Sequence, residues 1–467
     1  MRETSICARW VAVLAACASM SLGAADVVVD VSRELGPVKP VNGVGQPPMQ
    51  GGPTRFYMMH YLKEAGIPYS RLHDVGGAFG RMAFVDIPNV FRDFGADEND
   101  PGNYDFTFTD RLLLALEESG VEPMYRLGVT IENHSEVKSY RIFPPKDYAK
   151  WARICEHVIR HYTEGWADGF RMKIEHWEIW NEPENQPEPD RNHMWRGDWE
   201  SYMRFYGVAA KHLKSKFPHL KIGGYGSCGF YAAVGSDAEK AANSSSRTEY
   251  FVDCFTNFLA RARAEKWPLD FFSFHSYSGP DAARLQSVYA RRTLDEYGFA
   301  SASLSCNEWI PCDRRSRCGT ACQAAMVAAE LIDFQNGPCD SAMIYDGRCG
   351  TGAYSPLFNP LDERPHRAYY AFMAFNELRR RGTAVACEVS DRRLRAAAAK
   401  GTDGTLALML ANFETNSIPL NIRGLSVAEC RTVDKDHVYE SVPTPSAVGS
   451  DTVLLLVGTA SGGGRRQ

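Results

Sequence analysis

The feature that most constrains this chain is an alternation of short apolar runs with helical patterns, continued from residue 41 to residue 346. Runs with strand character fall at 41–48, 69–73, 123–127, 174–180, 220–225, 269–277, 302–309 and 342–346. Between them, apolar residues recur at helical spacing over about 55–65, 108–119, 151–162, 199–216, 250–265, 282–297 and 321–333. Trp151, Ile154, Val158, Ile159 and Tyr162 illustrate the period. Eight strands alternating with seven helical stretches predict an α/β chain closed into a (β/α)8 barrel. After about residue 386 the pattern changes to short runs at 397–399, 406–410, 418–422 and 452–457, separated by turn residues. That is the signature of a small C-terminal antiparallel β-sandwich. The expected division is therefore a leader at 1–25, a barrel at 26–385, a β domain at 386–460 and a disordered tail at 461–467. The β-branched run at 27–31 lies in a segment, 26–40, that could lend a strand to the β domain.

The first 25 residues read as a targeting segment. Arg2 and Arg9 precede an apolar run from Trp10 to about Leu22, followed by Gly23, Ala24 and Ala25. Leu14-Ala15-Ala16-Cys17 also fits a lipoprotein cleavage box, so the expectation is export, either by ordinary secretion or with a lipid on Cys17. The run is short for a membrane span, and no later segment replaces it, so no transmembrane segment is expected. A net charge of −5 without a long basic run argues against a nucleic-acid partner. Six of the 13 cysteines, Cys306, Cys312, Cys318, Cys322, Cys339 and Cys349, crowd one region without Cys-x-x-Cys spacing. Disulfides are expected there in preference to zinc.

The chemistry is sought at the strand tips, where barrels of this kind build their sites. The fourth strand ends in Trp180-Asn181-Glu182-Pro183, and the proline marks the end of the ladder. A carboxyl at Glu182 beside Trp180 would lose hydration, and its pKa would be expected to rise toward that of a general acid. The seventh strand ends in Asn307-Glu308-Trp309, which places a second carboxyl across the barrel mouth. Two facing carboxyls are what cleavage of a glycosidic bond requires: one protonates the leaving oxygen, and the other stabilises or attacks the anomeric carbon. Solvated loop acids are the plain alternative for either residue alone, and the pairing argues against it. The acidic stretch 97–105 does not follow calcium-loop spacing, so neither metal nor cofactor is expected.

These tips resemble those of clan A glycoside hydrolases, and within the clan most of all glycoside hydrolase family 39, the β-xylosidase and α-L-iduronidase family. Asn181-Glu182-Pro183 and Glu308 carry the resemblance, with Gly45-Gln46-Pro47-Pro48, Arg71-Leu72-His73 and the barrel-then-β order in support. In architecture it covers roughly residues 30–460. It implies retaining hydrolysis, with Glu182 as acid/base, Glu308 as nucleophile and Asn181 on the sugar 2-hydroxyl. His275 and Tyr277 would lie near the nucleophile. Arg71, His73 and Trp309 are candidate carbohydrate-binding residues, with a buried polar network (Arg71, His73) and core packing (Trp309) as their plain alternatives. Cys306 and Cys312 around Glu308, and long segments at 86–108 and 184–195, depart from the family's pattern. The expectation is an exo-acting enzyme on a carbohydrate, first of all a β-xyloside. Alternatives are a uronidase, arabinosidase or endo-acting enzyme on the same frame, or a non-catalytic carbohydrate-binding barrel.

Overall fold

A computed structural model describes residues 23–49, 57–73, 75, 85–130, 141–311, 315–350 and 354–461. Most of the expected leader, including Cys17, lies outside the described residues, as do Cys312 and all of the tail but Ser461. The first strand, β1 (Ala25–Pro37), belongs to the C-terminal layer. Eight parallel strands then close a barrel in chain order: β2 (Gly43–Gly45), β3 (Tyr69–Leu72), β4 (Glu122–Leu127), β5 (His176–Ile179), β6 (Lys221–Ser227), β7 (Phe271–Ser276), β8 (Ser303–Trp309) and β9 (Ser341–Tyr345). Their side chains are almost all buried, because helices cover the outside while the inward residues fill the lumen. The helices start where capping residues permit. Asp147, Asp198, Ser245 and Thr320 each accept a backbone N–H from the first turn of the helix that follows.

The helix Arg367–Arg381, absent from the sequence expectation, completes the outer ring after β9. Its buried face, Ala368, Ala371, Phe372, Phe375 and Leu378, has ordinary helical spacing. The β domain is a continuous nine-stranded sheet built from β10 (Thr383–Val389), β11 (Arg395–Lys400), β12 (Thr405–Asn412), β13 (Ile418–Arg423), β14 (Leu425–Val433), β15 (Val438–Ser441), β16 (Ala447–Val448), β17 (Thr452–Ala460) and β1. All pairings are antiparallel except β1 with β13. One face, including Ala397, Ala399, Met409 and Leu455, packs into the barrel's core, and the other closes a core of its own around Val27, Leu408 and Leu456. The seam to the barrel is polar as well: Arg395 pairs with Asp333 at 3.1 Å, and Asn336 donates to the carbonyl of Ala396 at 2.9 Å.

The expected disulfide cluster is not formed at Cys306, Cys339 and Cys349, which are buried free thiols. Burial pushes the Cys339 thiol up to about 12 and that of Cys349 to about 11, so these residues act as small apolar side chains.

Candidate active site

The end of β5 delivers the acid/base candidate through an unusual backbone. Trp180 and Glu182 have φ of 72° and 43°, in the left-handed region that is costly for residues with a Cβ. The turn is held by hydrogen bonds from the Trp180 amide to Leu127 O at 2.8 Å and from the Glu182 amide to Gly226 O at 3.0 Å. Glu182 thereby swings into a cavity of about 510 Å³ at the C-terminal mouth of the barrel, lined among others by His73, Asn181, Tyr231, Arg247, Tyr277 and Glu308. On the opposite wall, β7 and β8 pair in a register that sets His275 beside Glu308.

His275 joins the two acids. Its Nδ1 lies 2.7 Å from Glu182 Oε1 and 3.4 Å from Glu308 Oε2. One oxygen of each carboxylate and a ring nitrogen of His275 all fall within 4.8 Å of one another. Glu308 is the more firmly held acid, because Oε1 accepts from Arg71 Nη1 at 2.6 Å and Oε2 from the Tyr277 hydroxyl at 2.5 Å. Glu182 Oε2 accepts from Asn185 Nδ2 at 2.8 Å. Three such ligand atoms could also embrace a cation, but Arg71 and Tyr277 already direct donors at Glu308, and Arg71 supplies the positive charge a metal would bring.

The electrostatics correct one expectation. Burial acts to raise the pKa of Glu182, but His275, then Asn185 and Arg247, outweigh it and hold the carboxyl below its ordinary range. Trp180 is not the agent that tunes it: its indole is buried against Trp151, Trp195 and Phe205 and donates to Met194 O. His275 is the counterpart. Burial works against its charged form, yet the charges of Glu308 and Glu182 raise its pKa. A proton shared by the two is therefore favoured on the imidazole over the carboxyl. His73 behaves oppositely: burial, together with Arg126 and Arg71, pushes it well below its ordinary value. With Nδ1 accepting from Arg126 Nε at 3.1 Å, the neutral ring faces Glu308 Oε1 with Nε2 at 3.8 Å.

Arg71 is wholly buried and organises the floor. Besides Glu308 it donates to Asn181 Oδ1 and to Glu178 Oε2, at 2.6 and 2.7 Å. Asn181 thus spends its oxygen on Arg71 and keeps its amide N–H groups for a ligand. Glu178, which the sequence reading passed over, is buried inside β5 and is satisfied from its other side by Ser273 at 2.5 Å and Asn307 at 2.6 Å. Its signal was a lone acid in a strand interior, where a charge needs a buried partner. Tyr231, also unforeseen, accepts from the Tyr277 amide at 3.0 Å. Glu184 lies close to Glu182: it accepts from the Cys228 amide at 2.8 Å, and burial pushes it up to about 7.

Of the expected binding residues, Asn181, His275, Tyr277, Arg71 and His73 gather at this mouth. Trp309 does not. It is fully buried against Phe334 and Phe372 outside the barrel strands, because successive residues of a strand face opposite ways and Glu308 takes the inward position.

Residues 63–298 match the model for glycosyl hydrolases family 39. A curated β-xylosidase from Geobacillus stearothermophilus is 28% identical over 208 residues, 43% of this chain and 36% of that protein. The chain thus spans about a third of the length of that relative. Among solved structures, a glucosidase from Croceicoccus marinus superposes with a TM-score of 0.71 at 19% identity, over 93% of this chain and 99% of the other. A monomeric β-xylosidase from Caulobacter crescentus gives 0.64 at 16%, with the same coverage. At these identities the structural likeness speaks for the fold.

Proposed function

The chain belongs to glycosyl hydrolases family 39, and from that premise we propose that it is a retaining, exo-acting glycoside hydrolase, with a β-xyloside as its first candidate substrate. The observation that carries this reading is the pair Glu182 and Glu308, with carboxylate oxygens within 4.8 Å across one cavity. Retention uses carboxyl groups about 5–5.5 Å apart, whereas inversion needs about 6.5–9.5 Å to admit a water. The cavity volume suits a small saccharide.

The roles follow from the hydrogen bonds. Glu308, aimed by Arg71 and Tyr277, attacks the anomeric carbon as Glu182 protonates the departing oxygen. Glu182 obtains that proton from His275, 2.7 Å away, once substrate displaces water from the mouth. Glycosylation leaves Glu182 ionised and Glu308 as a neutral ester. Glu182 then takes a proton from water, the water attacks the anomeric carbon, Glu308 leaves as a carboxylate, and the proton passes from Glu182 back to His275. The free amide of Asn181 is offered to the sugar 2-hydroxyl.

A panel of aryl glycosides (β-xyloside, α-arabinoside, β-glucoside and α-iduronide) tests the reading. Wild-type enzyme is expected to cleave one member with retained anomeric configuration by NMR, while Glu182→Gln and Glu308→Gln lose most turnover. Near-normal activity in either variant, or an inverted product, overturns it. Export is proposed on residues 1–25 alone and is tested by the mature N-terminus of the secreted protein, which would start near Ala24–Asp26 or at a lipid-bearing Cys17.

A further inference from the structure

The cavity contains a cation that takes no part in the steps above beyond its effect on the Glu182 carboxyl. Arg247 lies in the first turn of the helix Ser246–Ala264 and lines the mouth beside Glu182. Its Nε donates to the carbonyl of Asn185 at 2.7 Å, and its guanidinium lies over the Phe251 ring, 4.7 Å from the centroid. Asn185 is the same residue whose side chain holds Glu182 Oε2. Arg247 is thereby linked through Asn185 to Oε2 of Glu182, the carboxylate oxygen that His275 does not take.

The other cations of the site are committed: Arg71 to Glu178 and Glu308, Arg126 to Asp86, and Arg348 to Asp346. Arg247 has no carboxylate within ion-pair distance among the described residues, and neither Nη group donates to a protein acceptor there. A guanidinium clamped at Nε and stacked on a ring has lost most of its freedom. What it still offers is a planar pair of N–H donors with full positive charge, the geometry that accepts a carboxylate bidentately.

The side of the cavity decides what it reads. The sugar that is transferred must sit over Glu308, and the oxygen protonated by Glu182 connects it to the leaving group. Groups beyond Glu182 therefore meet the leaving group. We propose that Arg247 recognises a carboxylate on the leaving-group side, so that the preferred substrates are acidic saccharides or conjugates bearing a carboxylate, such as a uronic acid, next to the scissile bond. This rests on the hydrolase reading above and deepens it by naming a substrate class.

The test compares a 4-carboxyphenyl β-xyloside with its methyl ester, for wild type, Arg247→Gln and Arg247→Lys. A structural or pKa-tuning role would change both substrates together, so the readout is the ratio of kcat/KM, carboxylate over ester. Loss of a charge-assisted contact predicts that this ratio falls about 10-fold or more in Arg247→Gln, with partial recovery in Arg247→Lys, whose charge remains without the fork. A ratio that stays within about twofold of wild type in Arg247→Gln overturns the inference while leaving the hydrolase reading intact. If Arg247→Gln does not fold, an Arg247→Lys ratio equal to wild type overturns it. If wild-type enzyme cleaves neither compound, the β-xyloside reading fails, and the inference falls with it.

Discussion

Arg71 supports both the fold of the site and its chemistry, and Arg71→Met separates the two. The guanidinium is buried and contacts Glu178 and Glu308 at 2.7 and 2.6 Å. Methionine keeps much of the stem but strands two carboxylates, one of them, Glu178, with no exposure at all. Breaking a buried ion pair by removing one partner costs about 3–5 kcal/mol, because the other charge remains desolvated. Adding Glu178→Gln removes one stranded charge, while the new amide oxygen can still accept from Ser273 and Asn307. The double variant should therefore cost less than the sum of the single ones, by roughly 1–3 kcal/mol. Urea unfolding at pH 7, followed by tryptophan fluorescence, measures the cycle. Turnover of an aryl glycoside measures the other half. Glu308 loses one charge-assisted donor, worth about 1.5–3 kcal/mol, so kcat/KM should fall about 10- to 150-fold in every variant lacking Arg71, including the restabilised one. Additivity within about 0.5 kcal/mol, or wild-type turnover in Arg71→Met, would refute the argument.

Two further expectations concern Gly226 and the proton. Gly226 has φ of +64°, and an added Cβ would stand 2.9 Å from Asn181 Oδ1, 3.0 Å from Arg71 Nη2 and 3.1 Å from His275 Nε2. Gly226→Ala should cost about 1–3 kcal/mol in overpacking and reduce kcat/KM about 100-fold by displacing those three groups; unchanged kinetics would show that the floor is slack. Because His275 is raised by its two acids, the essential proton is held to higher pH than on an ordinary imidazole, and activity persists further into alkali. The basic limb of kcat/KM should therefore report an apparent pKa above 6.5, belonging to the Glu182–His275 pair, and a limb below that value contradicts the shared proton.

What could be read from the chain follows from where each residue sits. Glu182 and Glu308 were legible because strand tips in a parallel barrel converge on one mouth, so two acids far apart in sequence must approach each other. Trp309 was misplaced although alternation along β8 already assigned it outward once Glu308 faced in. Glu178 shows the opposite case: its role depends on Arg71, 107 residues earlier, and no local pattern announces that pairing. The lowered pKa of Glu182 was out of reach for a related reason. Desolvation can be guessed from aromatic neighbours, but the imidazole that reverses it is brought up by a different strand. Arg247 sits in an unremarkable polar helix start, and its importance arises only from the turn after β5 that carries Asn185 to it. The helix Arg367–Arg381, by contrast, had ordinary periodicity and was within reach.

The position of β1 has a consequence for how the chain is made. It lies inside the C-terminal sheet, hydrogen-bonded on one side to β10 and on the other to β13. Its partners are therefore synthesised only after the whole barrel has emerged. Until then β1 exposes two unpaired edges with Val27 and Val29 on the face that is later buried, the kind of segment that invites pairing between chains. Joining the ends closes a very long loop, a slow step in a topology of this kind. It also means that the barrel cannot be cut away at Gly382 as a self-contained catalytic unit without leaving that strand bare. β1 and the C-terminal sheet act as a clasp around the barrel, and folding is complete only when it shuts.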